Sequence, residues 1–185
     1  MKKTLIISAF PGCGKTFLYR NQDKIPVKFN GIDIKCTFCD SDSSKFSKHN
    51  GWEKEYVDSI EDKIGILDFI FISQHDLVLA ELERRNIPFI SVAPDNSLDL
   101  SIKARSLIKQ DWFNRLIYRD NSHIKDYNSW INLIKTKYDE WTSDESLNKY
   151  HPVEVIKLGY HQYISDIIDR LYYDKEMCSK YTLEK

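Results

Sequence analysis

Residues 4–16 read Thr4-Leu5-Ile6-Ile7-Ser8-Ala9-Phe10-Pro11-Gly12-Cys13-Gly14-Lys15-Thr16, and the fold class follows from this stretch. A short apolar run, Thr4 to Ala9, enters a Gly-rich turn and continues into a helix-compatible segment from about Lys15. The turn satisfies the pattern Gly-x-x-x-x-Gly-Lys-[Ser/Thr] at Gly14, Lys15 and Thr16, with Ala9 in the first position. Each residue type has a physical task. Gly12 and Gly14 let backbone N–H groups converge on an anion without steric crowding, and the following helix turns its N-terminal donors toward the same charge. Lys15 is expected to reach the β- and γ-phosphates of a nucleoside triphosphate, and the Thr16 hydroxyl to ligate magnesium. A nucleoside triphosphate and Mg2+ are thus the expected ligands, with Pro11, Gly12, Cys13, Gly14, Lys15, Thr16 and Phe17 as the contact residues.

Outward from this turn, apolar runs alternate with helix-like stretches, the pattern of a parallel sheet covered on both faces. The second run is Ile34 to Cys39, ending in Asp40-Ser41-Asp42-Ser43-Ser44. The third, Ile66 to Ser73, is the most apolar and reads as a central strand. Asp76 is expected to cap a helix running to about Asn86 that buries Leu77, Leu79, Ala80 and Leu82. Phe89 to Ala93 is the fourth strand, after Pro88. Leu98 to Trp141 reads as helix in two or three pieces with a break near Asp120 to Ser122. Val153 to Leu158 is the fifth strand, and a final helix is expected from Tyr160 or His161. Residues 41–51 read as a mobile loop, and those after Met177 as a fraying end. The expectation is one α/β domain over 1–185: a doubly wound, five-stranded parallel sheet with helices on both faces.

Composition narrows the function classes. The chain has 185 residues, 42% hydrophobic and 30% charged, enough for a sizeable core without disulfides or metal. Its 27 basic and 28 acidic side chains leave a formal net charge of −1, which argues against a broad footprint for duplex DNA or an anionic membrane. No signal peptide is expected, and no stretch approaches the roughly 18 apolar residues of a membrane span. Cys36 and Cys39 have CxxC spacing, but no second pair or nearby histidine completes a zinc site, so both are read as strand residues. A reducing, cytoplasmic setting is expected. The aromatic side chains Trp112, Tyr127, Trp130, Tyr138, Trp141, Tyr172 and Tyr173 are read as packing for a helical second half.

At the end of the second strand, Asp40 and Asp42 stand at the carboxyl edge, beside the phosphate-binding turn. Phosphoryl transfer needs a carboxylate near the acceptor and another ordering the metal. Asp40 is therefore expected to join Thr16 at the metal, and Asp42 and Ser43 to face the acceptor. His75, at the end of the third strand, has two open roles, contact with substrate or capping of the next helix. The third strand ends Ile72-Ser73-Gln74-His75 without a carboxylate, and Asp68 comes too early to reach the phosphates.

This arrangement resembles the small-molecule and nucleotide kinase branch of the P-loop proteins. Phe10 to Thr16, Asp40 to Phe46 and Phe69 to His75 together are similar to a phage and prophage family of nucleoside or nucleotide kinases, over Thr4 to about Tyr163. The resemblance implies the P-loop kinase fold with a helical lid, here at about 98–125, and an arginine closing over the transferring phosphate. Lys103, Arg105, Lys109, Arg115 and Arg119 fall there. Arg115 and Arg119, four apart and on one helical face, are favoured. The implied activity is ATP-dependent transfer to a nucleoside, nucleoside monophosphate or similar small acceptor. Two alternatives stand beside it: a kinase acting on hydroxymethylated bases in DNA, and a nucleotide-binding regulatory protein with little transfer activity.

Overall fold

The computed structural model describes residues 2–41, 43, 46, 49–119, 124 and 126–182. Five strands, β1 (Leu5–Ala9), β4 (Phe38–Asp40), β5 (Phe69–Ile72), β6 (Ile90–Pro94) and β7 (Glu154–Leu158), form a parallel sheet in the order β4-β5-β1-β6-β7. Side chains alternate between its faces. Leu5, Ile7, Phe69, Phe71, Ile90 and Val92 enter one core with Leu18, Trp112, Tyr138 and Leu171. Ile6, Ile70 and Ile72 enter a second core on the other face. The first core is covered by α1 (Lys15–Arg20), α4 (Ile102–Tyr118), α5 (Tyr127–Trp141), α6 (Asp144–Asn148) and α7 (Ile168–Met177). The second is covered by α2 (Trp52–Glu61) and α3 (Asp76–Arg84). Because both faces are covered, β1 and β5 are buried along their whole length, which explains the unbroken apolar sequence of β5 and a β1 that is apolar except at Ser8. The doubly wound α/β sheet is as expected.

Several boundaries differ. The run Ile34 to Cys39 is not one strand. Ile34 ends β3 (Ile32–Ile34), which pairs antiparallel with β2 (Val27–Phe29). The turn between them is Asn30-Gly31, both at positive φ (51° and 78°), a hairpin signal that outweighs the apolar character of Ile34. Cys36 is buried in the segment before β4, and Cys39 lies within β4; both thiols are free. Helix α3 starts one residue earlier than a cap at Asp76 requires. His75 holds the N-cap position, Asp76 is the first helical residue, and no side chain caps the end. The buried face is accordingly Val78, Leu79 and Leu82, with Leu77 turned outward.

The last helix begins at Ile168, not near Tyr160. His161 has a positive φ of 55°, and a capping box between Tyr163 and Asp166 starts a 3-10 turn first. Beyond Met177 the chain does not fray through Thr182. Tyr181 is buried, and its hydroxyl donates to Glu154 Oε2 at 2.8 Å. The expected break at Asp120 to Ser122 lies outside the described residues, as do Asp42, Ser44, Lys45, Ser47 and Lys48 of the loop expected to be mobile. Of the aromatic residues expected to pack, Trp112 and Tyr138 are buried, while Tyr173 is exposed. No described helix is long and apolar enough to cross a membrane.

Asp68 lies at the amino end of β5, away from the sheet's carboxyl edge. Its carboxylate accepts from the Thr37 amide at 2.9 Å, the Thr37 hydroxyl at 2.8 Å and Lys2 Nζ at 3.0 Å. It therefore ties the N-terminus and the start of β4 to β5.

Candidate functional site

Strand β1 ends at the carboxyl edge, where the Phe10 amide donates to Val92 O on β6 at 2.9 Å. The chain then turns through Pro11 to Gly14, with Gly12 at φ 82° and Gly14 at φ 100°. A Cβ on Gly12 would lie 3.1 Å from both Leu116 Cδ2 and Trp112 Nε1. That closeness reflects how tightly α4 backs the loop, and Trp112 Nε1 also donates to Pro11 O at 2.6 Å. The Cys13 side chain is buried toward β6, and burial pushes its thiol up to about 11 despite the nearby Lys15 and Arg115 charges. Cys13 thus presents backbone, not sulfur, to the loop. Phe17, on the first turn of α1, is exposed. Lys15 folds back over the turn, and its ammonium donates to Ala9 O and, at 3.2 Å, to Phe10 O.

Asp40, the last residue of β4, meets this loop. Thr16 Oγ1 donates to Asp40 Oδ2 at 2.6 Å. The Ser41 amide continues the ladder to Phe71 O at 2.9 Å, and Ser41 O accepts from the Tyr56 hydroxyl at 2.6 Å. Burial pushes the Tyr56 phenol up to about 12, so it serves as a neutral donor that pins the start of the turn. Ser43 is half-buried, and its carbonyl accepts from the Phe46 amide at 3.3 Å. Asp42 lies outside the described residues. The His75 side chain does not cap α3. Its ring stands edge-on to Trp52, with centroids 4.9 Å apart.

Arg115 lies on α4, but Arg119 is its extended C-cap residue, so the two do not share a helical face as expected and serve different neighbours. Arg115 Nη1 donates to Gln162 O at 2.7 Å, Nη2 pairs with Asp111, and the guanidinium lies 3.8 Å from the centre of the Tyr163 ring. Asp111 also accepts from the His161 amide at 3.1 Å. The Ile164 amide then donates to Cys13 O at 3.0 Å. Arg115 thereby fastens the loop after β7 to α4, and that loop holds the phosphate-binding turn. Arg119, at the end of α4, lies over the Trp130 ring at 4.9 Å. Within the region expected to be a lid, Ile108, Asp111, Trp112 and Leu116 are buried.

Beside the loop opens a cavity of about 470 Å³. Its walls come from Phe10 and Lys15, from Gln74 and His75 after β5, and from Trp141 and Leu147 on the α5–α6 side. Sequence reasoning missed Gln74, Trp141 and Leu147. Trp141 and Leu147 follow the pattern of packing residues, and only the return of α5 and α6 over the sheet edge brings them to the loop. Gln74 was open to discovery, since it directly follows the strand end where ligand groups gather.

Thr16 and Asp40 are hard oxygen donors of the kind Mg2+ takes. Among the described residues, no group of three or more His, Cys, Asp or Glu could hold a metal. A Mg2+ site needs no such group, because one or two carboxylates combine with substrate phosphates and waters. No protein-family model, curated protein or solved structure matches this chain.

Proposed function

We propose that this chain is an ATP- and Mg2+-dependent kinase that transfers the γ-phosphoryl group to a nucleoside, nucleoside monophosphate or similar small acceptor. The observation that carries the reading is the 2.6 Å bond from Thr16 to Asp40, beside a glycine turn spanned by the Lys15 ammonium. It supplies a carboxylate at the sheet edge where β5 is followed by Ser73 and has none of its own. The resemblance of the Phe10–Thr16, Asp40–Phe46 and Phe69–His75 stretches to phage nucleoside and nucleotide kinases supports the same reading.

Loop amides and Lys15 hold the donor phosphates, and Lys15 balances their charge. Thr16 and Asp40 would hold Mg2+, which when bound neutralises charge on the β- and γ-phosphates. The acceptor hydroxyl oxygen bonds to the γ-phosphorus as the bond from that phosphorus to the β–γ bridging oxygen breaks. ADP leaves with the electron pair. The hydroxyl proton passes to a carboxylate of the Asp40–Asp42 turn and on to solvent. For a monophosphate acceptor, a phosphate oxygen attacks instead and no proton need move.

The test is a screen of nucleosides, nucleoside monophosphates and hydroxymethylated DNA with γ-labelled ATP, with Lys15→Ala as control. Label on a free nucleoside or nucleotide, lost in Lys15→Ala, is the expected result. Nucleotide affinity and activity unchanged in Lys15→Ala would overturn the assignment. Nucleotide binding with neither acceptor labelling nor ATP turnover would mark a regulatory protein instead.

A further inference from the structure

The cavity beside the loop borders a part of the sheet that carries small side chains, Ser91 among them. Ser8 of β1 and Ser91 of β6 are direct register partners on one face, both nearly fully buried. Where neighbouring positions carry Ile6, Ile70 and Ile72, these two carry only hydroxymethyl groups, and Ser91 lines the cavity. Ser8 Oγ is buried with no hydrogen-bond partner among the described residues, an uncommon state for a core hydroxyl. At about 470 Å³ the space lies within the ~300–1,000 Å³ range of small-molecule sites.

Its chemistry is divided. Phe10, Leu79, Trp141 and Leu147 provide flat and aliphatic walls, and the Phe10 and Trp141 rings meet edge to face at 6.3 Å. Polar groups sit at the strand ends. The Gln74 amide nitrogen reaches Val92 O at 3.5 Å, the outer limit of a hydrogen bond, so that contact costs little to exchange. A carboxamide offers both donors and an acceptor, the combination that pairs with the edge of a nucleobase. Lys15 lines the same space, so a ligand here directly adjoins the donor phosphates.

We propose that this cavity is the acceptor site and takes a free nucleoside-type molecule. Its heterocyclic ring lies among Phe10, Leu79, Trp141 and Leu147, and its polar edge faces Gln74. Its phosphorylatable group points toward Lys15. The assignment rests on the kinase reading above and gives its acceptor a site, with Gln74 as the residue that reads it.

Two variants probe it: Gln74→Leu, which removes the amide at similar size, and Ser146→Trp, which fills the cavity from α6. Each is checked for folding by circular dichroism and assayed with γ-labelled ATP. The probes are the four common deoxynucleosides, their 5′-monophosphates and a hydroxymethylated oligonucleotide. The wild type is expected to label at least one free nucleoside or monophosphate. Gln74→Leu should raise KM for that acceptor about tenfold with ATP affinity unchanged. Ser146→Trp should abolish labelling while ATP still binds. If Ser146→Trp does not fold, the Gln74→Leu result decides. Wild-type acceptor KM in the folded variants, with labelling still lost in Lys15→Ala, overturns the cavity assignment and leaves the kinase reading intact. Labelling confined to the oligonucleotide overturns the free acceptor. Labelling that survives Lys15→Ala, or no labelling of any probe by the wild type, removes the kinase reading and this assignment with it.

Discussion

The Thr16 hydroxyl donates to Asp40 Oδ2 at 2.6 Å, joining the start of α1 to the end of β4. The two residues are far apart in sequence, and in the sheet β5 separates β4 from β1, the strand that leads into α1. Register sets the contact. Asp40 pairs with Phe71, and Ser8 with Ile72, so β4, β5 and β1 end almost level at the carboxyl edge.

If this carboxylate serves the metal, Asp40→Asn should keep the hydrogen bond but lose the charge. The expected outcome is a loss of Mg2+-dependent turnover of about 10–100-fold, with little change in metal-free nucleotide binding. Titrating activity against Mg2+ measures it. A variant with wild-type magnesium dependence and turnover would remove Asp40 from the metal site.

Gly12→Ala tests how closely α4 backs the loop. The new methyl meets Leu116 and Trp112 at 3.1 Å from a backbone held at φ 82°. The left-handed conformation alone costs about 1–2 kcal/mol for a residue with a Cβ. Chemical denaturation should show at least that loss, together with weaker nucleotide binding as Trp112 shifts from Pro11 O. Unchanged stability would mean that the loop relaxes freely.

Arg115→Ala is expected to act first on stability. Arg115 and Asp111 are 11% and 8% exposed, and truncating one partner strands the other charge. A loss of about 3 kcal/mol is expected, at the low end for buried pairs because His161 still faces Asp111 at 2.9 Å. Urea unfolding reads this directly. Stability within ~0.5 kcal/mol of wild type would instead leave Arg115 free for the transferring phosphate.

Acid should loosen the α2–α3 pair. Hydrogen bonds from Arg84, and then Arg85, outweigh the cost of burial and hold Glu81 at about 2 against an ordinary 4.5. Arg85 also reaches Asp58 at 2.6 Å and Glu61 on α2. A depressed folded-state pKa means the unfolded chain binds the proton first. This stability is fully present above pH 4.5 and is lost as pH falls toward 2. Glu81→Gln should flatten that part of the stability–pH curve. An unchanged acid limb would assign the effect to other carboxylates.

The sequence alone determined the elements whose signals are local. Thr4 to Thr16 carries its own strand, turn and helix start, because glycine placement and apolar continuity act between near neighbours. The same holds for β5, whose burial on both faces leaves a continuous apolar trace, and for β6 and β7, whose apolar residues cluster between turn signals. Where two local signals compete, the reading failed: Asn30-Gly31 drew Ile34 into a hairpin, and the turn at His161 delayed α7 to Ile168. Asp40 was legible as a strand-end carboxylate, but its bond to Thr16 depends on strand order and register, which pairwise spacing does not encode. Tertiary structure alone decided the rest. Arg115 is held by Asp111, Gln162 and Tyr163 because the loop after β7 returns across α4. The cavity is lined by residues from β1, β6, α3, α5 and α6, which only the tertiary fold brings together. A gap between side chains belongs to no residue, so only the assembled sheet and helices create it.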